Sequence, residues 1–412
     1  MTVEIGILNK QGIALAADSA VTIGNRQKFY NTANKLFALS KYNSVGIMVY
    51  SNSDFMGCPI EILIKEYRKK LGDKPFGTLK EYWDDFLIFL NDQYKENNNV
   101  DYYLDQVISF LRSIDDCIRE MLEKISKSIT NGSDSEMQNE VIKILNWTID
   151  NAYAKFNEYD DDMKFTSKYE IINATAREKI SEHIKKIIGT LPDEYYQKLI
   201  ECCIMILTKK HDQGSKTGIV IAGYGEDELY PQLFNGEFLG SYFGELKYCL
   251  RYDEKINNDN DAAIVSFAQD DVIKTFMNGI DESMLDVIGD TLDELKGKLI
   301  SDPGCKCNAS ECIDSFKGKI FEEIKNNSLK CHWGPIVQTV SVAPKDELAQ
   351  MAETLVNLTS FRKKLSMDSY SQTVGGPIDV ALITKGDGFI WIKRKHYFDK
   401  ELNHGFFHNY YR

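Results

Sequence analysis

Long apolar runs are missing from this chain of 412 residues. No stretch approaches the roughly 20 apolar residues that span a bilayer, so no membrane segment is expected. The opening Met1-Thr2-Val3-Glu4 has neither the basic patch nor the apolar segment of a secretory signal. Histidine is scarce too. The six present, His183, His211, His332, His396, His404 and His408, all avoid the strand-rich opening, which argues against a serine–histidine or cysteine–histidine centre there. Basic charge is outnumbered, 49 Lys and Arg against 62 Asp and Glu, and the net −13 repels phosphate backbones and anionic lipid. Neither nucleic acid nor a membrane is an expected partner. Cysteine is odd in number, nine, and the adjacent Cys202-Cys203 sits in an apolar helical run, which suits reduced thiols and a cytoplasmic protein rather than a disulfide framework.

What is present suffices for a buried core, since 43% of the residues are hydrophobic and 27% charged. Three zones differ in period. Residues 1 to about 57 read as strands: Val3 to Leu8, a turn at Asn9-Lys10-Gln11-Gly12 in which glycine would supply a positive φ, Ile13 to Ala17, Lys35 to Leu39 and Ser44 to Tyr50. From about 58 to 213 apolar residues recur at three- and four-residue spacing, as in Tyr82, Trp83, Phe86, Leu87 and Leu90, with few helix breakers. Strands return at Thr217 to Gly223, Glu237 to Leu250 and Ala262 to Phe267. A helix follows from Asp270, then a polar stretch, a helix with Leu348, Met351, Ala352 and Leu355 on one face, and the strands Ile378 to Thr384 and Phe389 to Lys393. Antiparallel strands with helices in blocks point to an α+β fold, not to alternating βαβ units. Gly223-Tyr224-Gly225 lacks the third glycine and the following helix of a phosphate loop.

Chemistry without histidine has one simple route. If the small Thr2 follows removal of Met1, its own α-amino group, with a reference pKa near 7.7 to 8.0, can take the proton of its hydroxyl. From Thr2 onward the chain resembles a proteasome β subunit of the N-terminal nucleophile (Ntn) hydrolases. A short hairpin is followed by Leu15-Ala16-Ala17-Asp18-Ser19-Ala20-Val21-Thr22 and then by Asn34-Lys35-Leu36-Phe37, with Asp18 in register and Lys35 one inserted residue late. The family places threonine, aspartate and lysine at these positions. A charged lysine beside the threonine favours the alkoxide and lowers the proton affinity of the amine, and the aspartate holds the lysine. The likeness continues at Thr217 to Tyr230, Asp346 to Thr359 and Ser371-Gln372-Thr373-Val374-Gly375-Gly376-Pro377-Ile378-Asp379, the last resembling Anbu-type bacterial proteasome homologues.

That resemblance implies a four-layer αββα sandwich of two antiparallel sheets, built from residues 1–99 and 214–412, with a helical insertion at 100–213 and a second, irregular one at 282–343. It implies catalytic Thr2, Asp18 and Lys35, supporting Asp368, Ser371 and Thr373, and substrate or oxyanion contacts from Thr22 and Tyr50. The sequence departs from the pattern at three places. Tyr50 replaces the oxyanion-hole glycine, Ser266-Phe267-Ala268-Gln269 replaces a Gly-Ser-Gly turn, and Ala20 replaces an arginine.

The cysteine-bearing stretch, with Cys305, Cys307, Cys312 and Cys331-His332, lacks a common zinc spacing and reads as reduced loop thiols; no metal and no cofactor is expected. Lys393-Arg394-Lys395-His396 reads as a solvated basic edge. The expected activity is threonine-type cleavage of peptide or amide bonds through an acyl-enzyme, in a homo-oligomer, with the helical insertion as a lid, an oligomer contact or a partner site. A small-amide amidohydrolase and a non-catalytic proteasome-like scaffold or sensor are the alternatives.

Overall fold

The computed structural model describes residues 3–23, 28–94, 100–126, 134–159, 169–189, 192–209, 216–242, 245–301, 309–365 and 375–410. Two compact units divide the chain: Met1–Phe86, Thr217–Gly236 and Leu250–Arg412 form one, and Leu87–Lys216 with Glu237–Cys249 forms the other. In chain order the elements are β1 (Val3–Asn9), β2 (Gly12–Ala17), β3 (Val21–Ile23), β4 (Lys28–Tyr30), β5 (Leu36–Ala38), β6 (Val45–Ser51), β7 (Asp54–Phe55), β8 (Cys58–Pro59), α1 (Ile60–Leu71) and α2 (Leu79–Tyr94). The helices α3 (Val100–Ser126), α4 (Asp134–Asn157), α5 (Tyr169–Ile187) and α6 (Asp193–Thr208) follow. Then come β9 (Thr217–Gly223), β10 (Gln232–Tyr242), β11 (Glu245–Lys255), β12 (Ala262–Ala268), α7 (Asp271–Asn278), α8 (Glu282–Ser301) and α9 (Ala309–Ser328). A π-helical turn (Leu329–Trp333) leads into α10 (Gly334–Val342), α11 (Lys345–Leu365), β13 (Asp379–Thr384), β14 (Gly388–Lys393) and α12 (His404–Tyr410).

Two five-stranded sheets dominate, in the orders β12-β1-β2-β13-β14 and β11-β10-β9-β6-β5. In the first, β1 runs antiparallel to β12 and β2, and β13 runs antiparallel to β2 and β14. In the second, β6 runs antiparallel to β5 and β9. Side-chain alternation gives β1 two buried faces. Val3, Ile5 and Ile7 join Ala14, Ala16, Ile273, Val340, Leu348, Ala352 and Val356 beneath α7, α10 and α11. Leu8 instead joins Leu15, Ala17, Met48, Val220, Leu233 and Ile383 in a cluster drawn from both sheets. The sheets therefore face each other across one core, and helices cover the far side of the first sheet. On α2, Trp83 stacks on Phe234 of β10 at 5.9 Å, and on α1 the Arg68 guanidinium donates to the Ala38 carbonyl of β5.

The opening hairpin turns by a different device from the one its glycine suggests. Asn9 pairs with Gly12 across a two-residue loop, Gly12 is not among the positive-φ residues, and the Gln11 N–H donates to Asn9 Oδ1 at 2.8 Å. The asparagine side chain closes the turn. Gly12 is needed for space, because a Cβ there would lie 2.8 Å from the Ile383 carbonyl oxygen. Between the sequence-expected helix at Asp270 and that at Leu348, the chain builds α8, α9 and α10. Cys312 lies in α9 and Cys331 in the π-helical turn, both exposed free thiols, while Cys305 and Cys307 lie outside the described residues.

The second unit is helical apart from its strand ends. Leu104, Val107, Leu111, Ile149, Ile180, Ile184, Leu199, Cys203 and Leu207 form a cluster shared by α3, α4, α5 and α6. Each such side chain, fully buried, stabilises by about 1.5–3 kcal/mol. Burial pushes the Cys202 thiol up to about 12 and raises that of Cys203, so both act as small apolar groups rather than nucleophiles. Among the described residues no helix is long and apolar enough to cross a membrane.

Candidate active site

The ends of β1, β2 and β13 and the start of β5 bring charged side chains together inside the first unit. Asp18 leaves β2 with its side chain fully buried, and its carboxylate gathers donors from four residues. Oδ1 accepts the Val3 N–H at 3.2 Å and the Lys35 ammonium at 2.5 Å, while Oδ2 accepts the N–H groups of Gly375 at 3.0 Å and Ala20 at 3.4 Å. The strand-to-loop step itself is fixed, since the Asp18 N–H donates to the Val3 carbonyl at 3.1 Å. Lys35 is anchored on the facing sheet by its carbonyl, which accepts the Val49 N–H at 2.9 Å, and its ammonium also lies 3.7 Å from Glu4 Oε1. The Lys35 side chain is only 7% exposed, so its partners are these carboxylates rather than bulk water.

The glycine pair that the sequence singles out serves this site. Gly375 delivers its N–H to Asp18 and accepts the Ser19 N–H at 3.2 Å. Gly376 adopts φ 80°, and a Cβ on it would lie 2.9 Å from Asn31 Cβ, so both conformation and space require glycine. Two non-glycine residues also hold left-handed backbone where strands end near this site: Ser51, after Tyr50, at φ 66°, and Ala268, paired with Val3, at φ 65°. Ala268 falls in the tetrapeptide that replaces a Gly-Ser-Gly turn, so an alanine here takes the backbone conformation that favours glycine.

Tyr50 directs its bulk away from solvent. It is 4% exposed, stacks on Phe267 at 5.8 Å, and donates its hydroxyl proton to Asn235 Oδ1 at 3.0 Å. Its ring lies flat over its cross-strand partner Gly218, where an added Cβ would meet ring atoms at 2.1 to 2.3 Å. The ring thus fills the inter-sheet core. Thr22 belongs to β3, opposite Phe29. Thr2, Asp368, Ser371 and Thr373 lie outside the described residues.

Three further charged residues complete the arrangement and escape a motif search. Glu4 is fully buried on β1, and Asp379, 2% exposed, opens β13. Both stand opposite Ala17 in the strand registers, one on each side. Lys395, read from the sequence as part of a solvated basic edge, is instead turned inward: its ammonium pairs with Asp379 Oδ2 and its N–H donates to Oδ1 at 2.8 Å. Burial holds the Lys395 ammonium below its ordinary value, with the Asp379 pairing working against it. Only its neighbours match the expected edge: Lys393 pairs with Glu353 at the surface and Arg394 covers the Trp391 ring. The available clue was chemical, a charge within Val3 to Leu8 and another within Ile378 to Thr384, strands that are otherwise almost wholly apolar. Among the described residues no three ligating side chains converge in a way that could hold a metal ion.

No family model matches the chain, and no curated protein matches it either. Solved structures of Anbu are similar to it along its whole length. The Gly-1 mutant of Anbu from Hyphomicrobium sp. strain MC1 is 10% identical over 100% of this chain and 92% of its own, with a TM-score of 0.31. Anbu (ancestral beta-subunit) from Yersinia bercovieri is 10% identical over 99% and 94%, with a TM-score of 0.29. The helical assembly of the Anbu complex from Pseudomonas aeruginosa is 6% identical over 99% and 93%, with a TM-score of 0.30.

Proposed function

We propose that this protein is a proteasome-like N-terminal threonine hydrolase that cleaves peptide or amide bonds, with Thr2 as nucleophile once Met1 is removed. The observation that carries the reading is the buried Asp18–Lys35 pair whose aspartate also holds the Val3 N–H, because that nitrogen is the one joined to the Thr2 carbonyl. The α1 and α2 contacts with β5 and β10 support the completed αββα sandwich. In the reaction, the Thr2 Oγ–H proton passes to the α-amine while Oγ bonds to the substrate carbonyl carbon. The amine returns the proton to the leaving nitrogen as the C–N bond breaks, and water then releases the acyl group by the same route. Lys35 stabilises the developing alkoxide electrostatically, and Asp18 holds it in place. In this reading Thr22 and the Tyr50 backbone line the substrate and oxyanion side, and Asp368, Ser371 and Thr373 support the amine.

A non-catalytic scaffold is the second reading, favoured by Ala268, which offers no hydroxyl at the position paired with Val3. Turnover of an amide substrate by protein beginning at Thr2 separates the two. Thr2→Ala should reduce it to background with the fold intact, and Thr2→Ser should keep part of it. A peptide epoxyketone, which needs both the hydroxyl and the free amine, should add to wild type and not to Thr2→Ala. Equal turnover in wild type and Thr2→Ala would refute the hydrolase.

A further inference from the structure

We propose that the outer edge of β12 is a docking site for an extended peptide segment, basic on one face and apolar on the other, which adds to the first sheet as a further strand. The proposal does not depend on the hydrolase reading. β12 ends its sheet, with β1 on one side and, among the described residues, no strand on the other. Because the Asp18 N–H donates to the Val3 carbonyl, the odd-numbered residues of β1 bond to β2, and the even-numbered Glu4, Gly6 and Leu8 bond to β12. Their partners there are Phe267, Val265 and Ala263, which leaves the N–H and C=O groups of Ile264 and Ser266 directed off the edge. Both residues line a cavity of about 460 Å³, an ordinary size for a ligand pocket. A strand edge with open ladder groups is the template on which an extended chain pairs.

The walls of the cavity define the occupant. Alternation sends Val265 and Phe267 toward the second sheet, where Tyr252 of β11 meets Phe267 edge-on at 6.4 Å, and Glu254, two residues along β11, shares that face. Glu254 is half-buried and has no hydrogen-bond or ion-pair partner among the described residues. Burial first, and the neighbouring Asp253 carboxylate second, raise its pKa above the ordinary value, and a cation seated beside it would oppose both. Ala262 and Ile264 face the other way, toward Ile273, Met277, Trp333 and Val337. On that side Lys274 pairs with Asp270 at 3.1 Å and with Glu282 at 3.4 Å, so the cavity carries three carboxylates against one ammonium. The excess is acidic. Side chains of an added strand alternate between the same two walls. Those on the β11 side meet Glu254 and the Tyr252 ring, which suits lysine or arginine through its charge and its apolar stem. Those on the helix side meet Ile273, Met277 and Trp333, which suits valine, isoleucine or leucine.

The test is fluorescence anisotropy of labelled peptides with the full-length chain carrying Thr2→Ala, so that no turnover is needed and the result stands apart from the hydrolase reading. The probe is the pentapeptide Val-Lys-Val-Lys-Val, with Val-Glu-Val-Glu-Val and the non-alternating Val-Val-Val-Lys-Lys as controls. The alternating lysine peptide should bind at least tenfold more tightly than either control, and its affinity should fall with added salt. Glu254→Gln should weaken it about tenfold, and Glu254→Lys should reverse the preference toward the glutamate peptide. An edge strand uses every second N–H of its partner, so N-methylation of alternate peptide residues should abolish binding in one register and spare it in the other. Ser266→Pro, which deletes an outward N–H and no bond to β1, should weaken the lysine peptide as well. Should that proline variant not fold, the two Glu254 variants, at a half-exposed position, decide. Equal binding of the lysine and glutamate peptides, equal effects of the two methylation registers, or unchanged affinity in Glu254→Gln overturns the proposal. So does displacement of the peptide by an equal concentration of n-butylammonium, which would mark a site for a small cation rather than for a strand.

Discussion

Lys35 Nζ lies 2.5 Å from Asp18 Oδ1, with both side chains buried where the two sheets meet. The pair joins the end of β2 to the start of β5, and the same carboxylate fastens β1 through Val3 and the glycine turn before β13 through Gly375. One aspartate thereby connects four chain segments, which is why its removal has structural as well as chemical consequences.

Breaking that pair from either side should leave a buried uncompensated charge, at a cost of about 3–5 kcal/mol. Asp18→Asn and Lys35→Met should each lower the urea unfolding midpoint by a corresponding amount. The double variant should be less destabilised than the sum of the two, since each partner's burial is penalised only while the other is missing. Simple additivity in the double-mutant cycle would mean that the two groups do not act as a pair.

Gly218 is predicted to tolerate no side chain while Tyr50 is present. An alanine Cβ there would stand 2.1 Å from the tyrosine ring, so Gly218→Ala should cost about 1–3 kcal/mol or more through forced repacking. Tyr50→Ala removes the obstacle, and the combined variant should show strong positive coupling. Chemical denaturation of the four proteins in the cycle measures it.

Asn9 closes the first hairpin and also donates from Nδ2 to the carbonyls of Val340 at 2.8 Å and Ala343 at 2.9 Å at the end of α10. Asn9→Ala should therefore cost about 1–3 kcal/mol, because buried backbone groups lose their partners, whereas Gln11→Ala at the same turn should be nearly neutral. Equal effects at the two positions would show that the turn, not the link to α10, is what the asparagine secures.

The strand–helix–strand order was legible because it rests on local periodicity, whereas the pairing of Asp18 with Lys35 was expected only through the resemblance to proteasome β subunits. The inward turn of Lys395 was not. Its partner Asp379 is 16 residues away, and nothing in a run of Lys, Arg, Lys and His marks one of them as buried until β13 and β14 are paired. Tyr50 was misleading in a different way. A tyrosine where a family has glycine suggests crowding, yet the space its ring needs is provided across the strand at Gly218, a compensation that only the register between β6 and β9 reveals. The polar, cysteine-bearing stretch before α10 concealed two helices, α8 and α9, whose largely exposed surfaces give weak apolar periodicity.

The buried Lys395 should make stability rise with pH on the alkaline side. Burial is the largest influence on this ammonium and holds its folded-state pKa below the unfolded reference of 10.5, against the opposing pull of Asp379. Between those two values the unfolded chain carries the proton more often than the folded one, so raising the pH releases protons from the unfolded state and favours folding. Below the folded-state value both forms are charged and the contribution is constant; above 10.5 both are neutral and it is constant again. Tyr67 and Tyr224 act in the opposite sense, because burial raises their phenols above the ordinary 10.0 and the unfolded chain ionises first. The isolated effect therefore lies in the difference between wild type and Lys395→Met, measured by chemical denaturation from neutral pH to about 10.5. The difference in unfolding free energy, wild type minus variant, should increase with pH across that window. A difference that is flat, or that falls, would mean that the ammonium gains more from Asp379 on folding than it loses by leaving water.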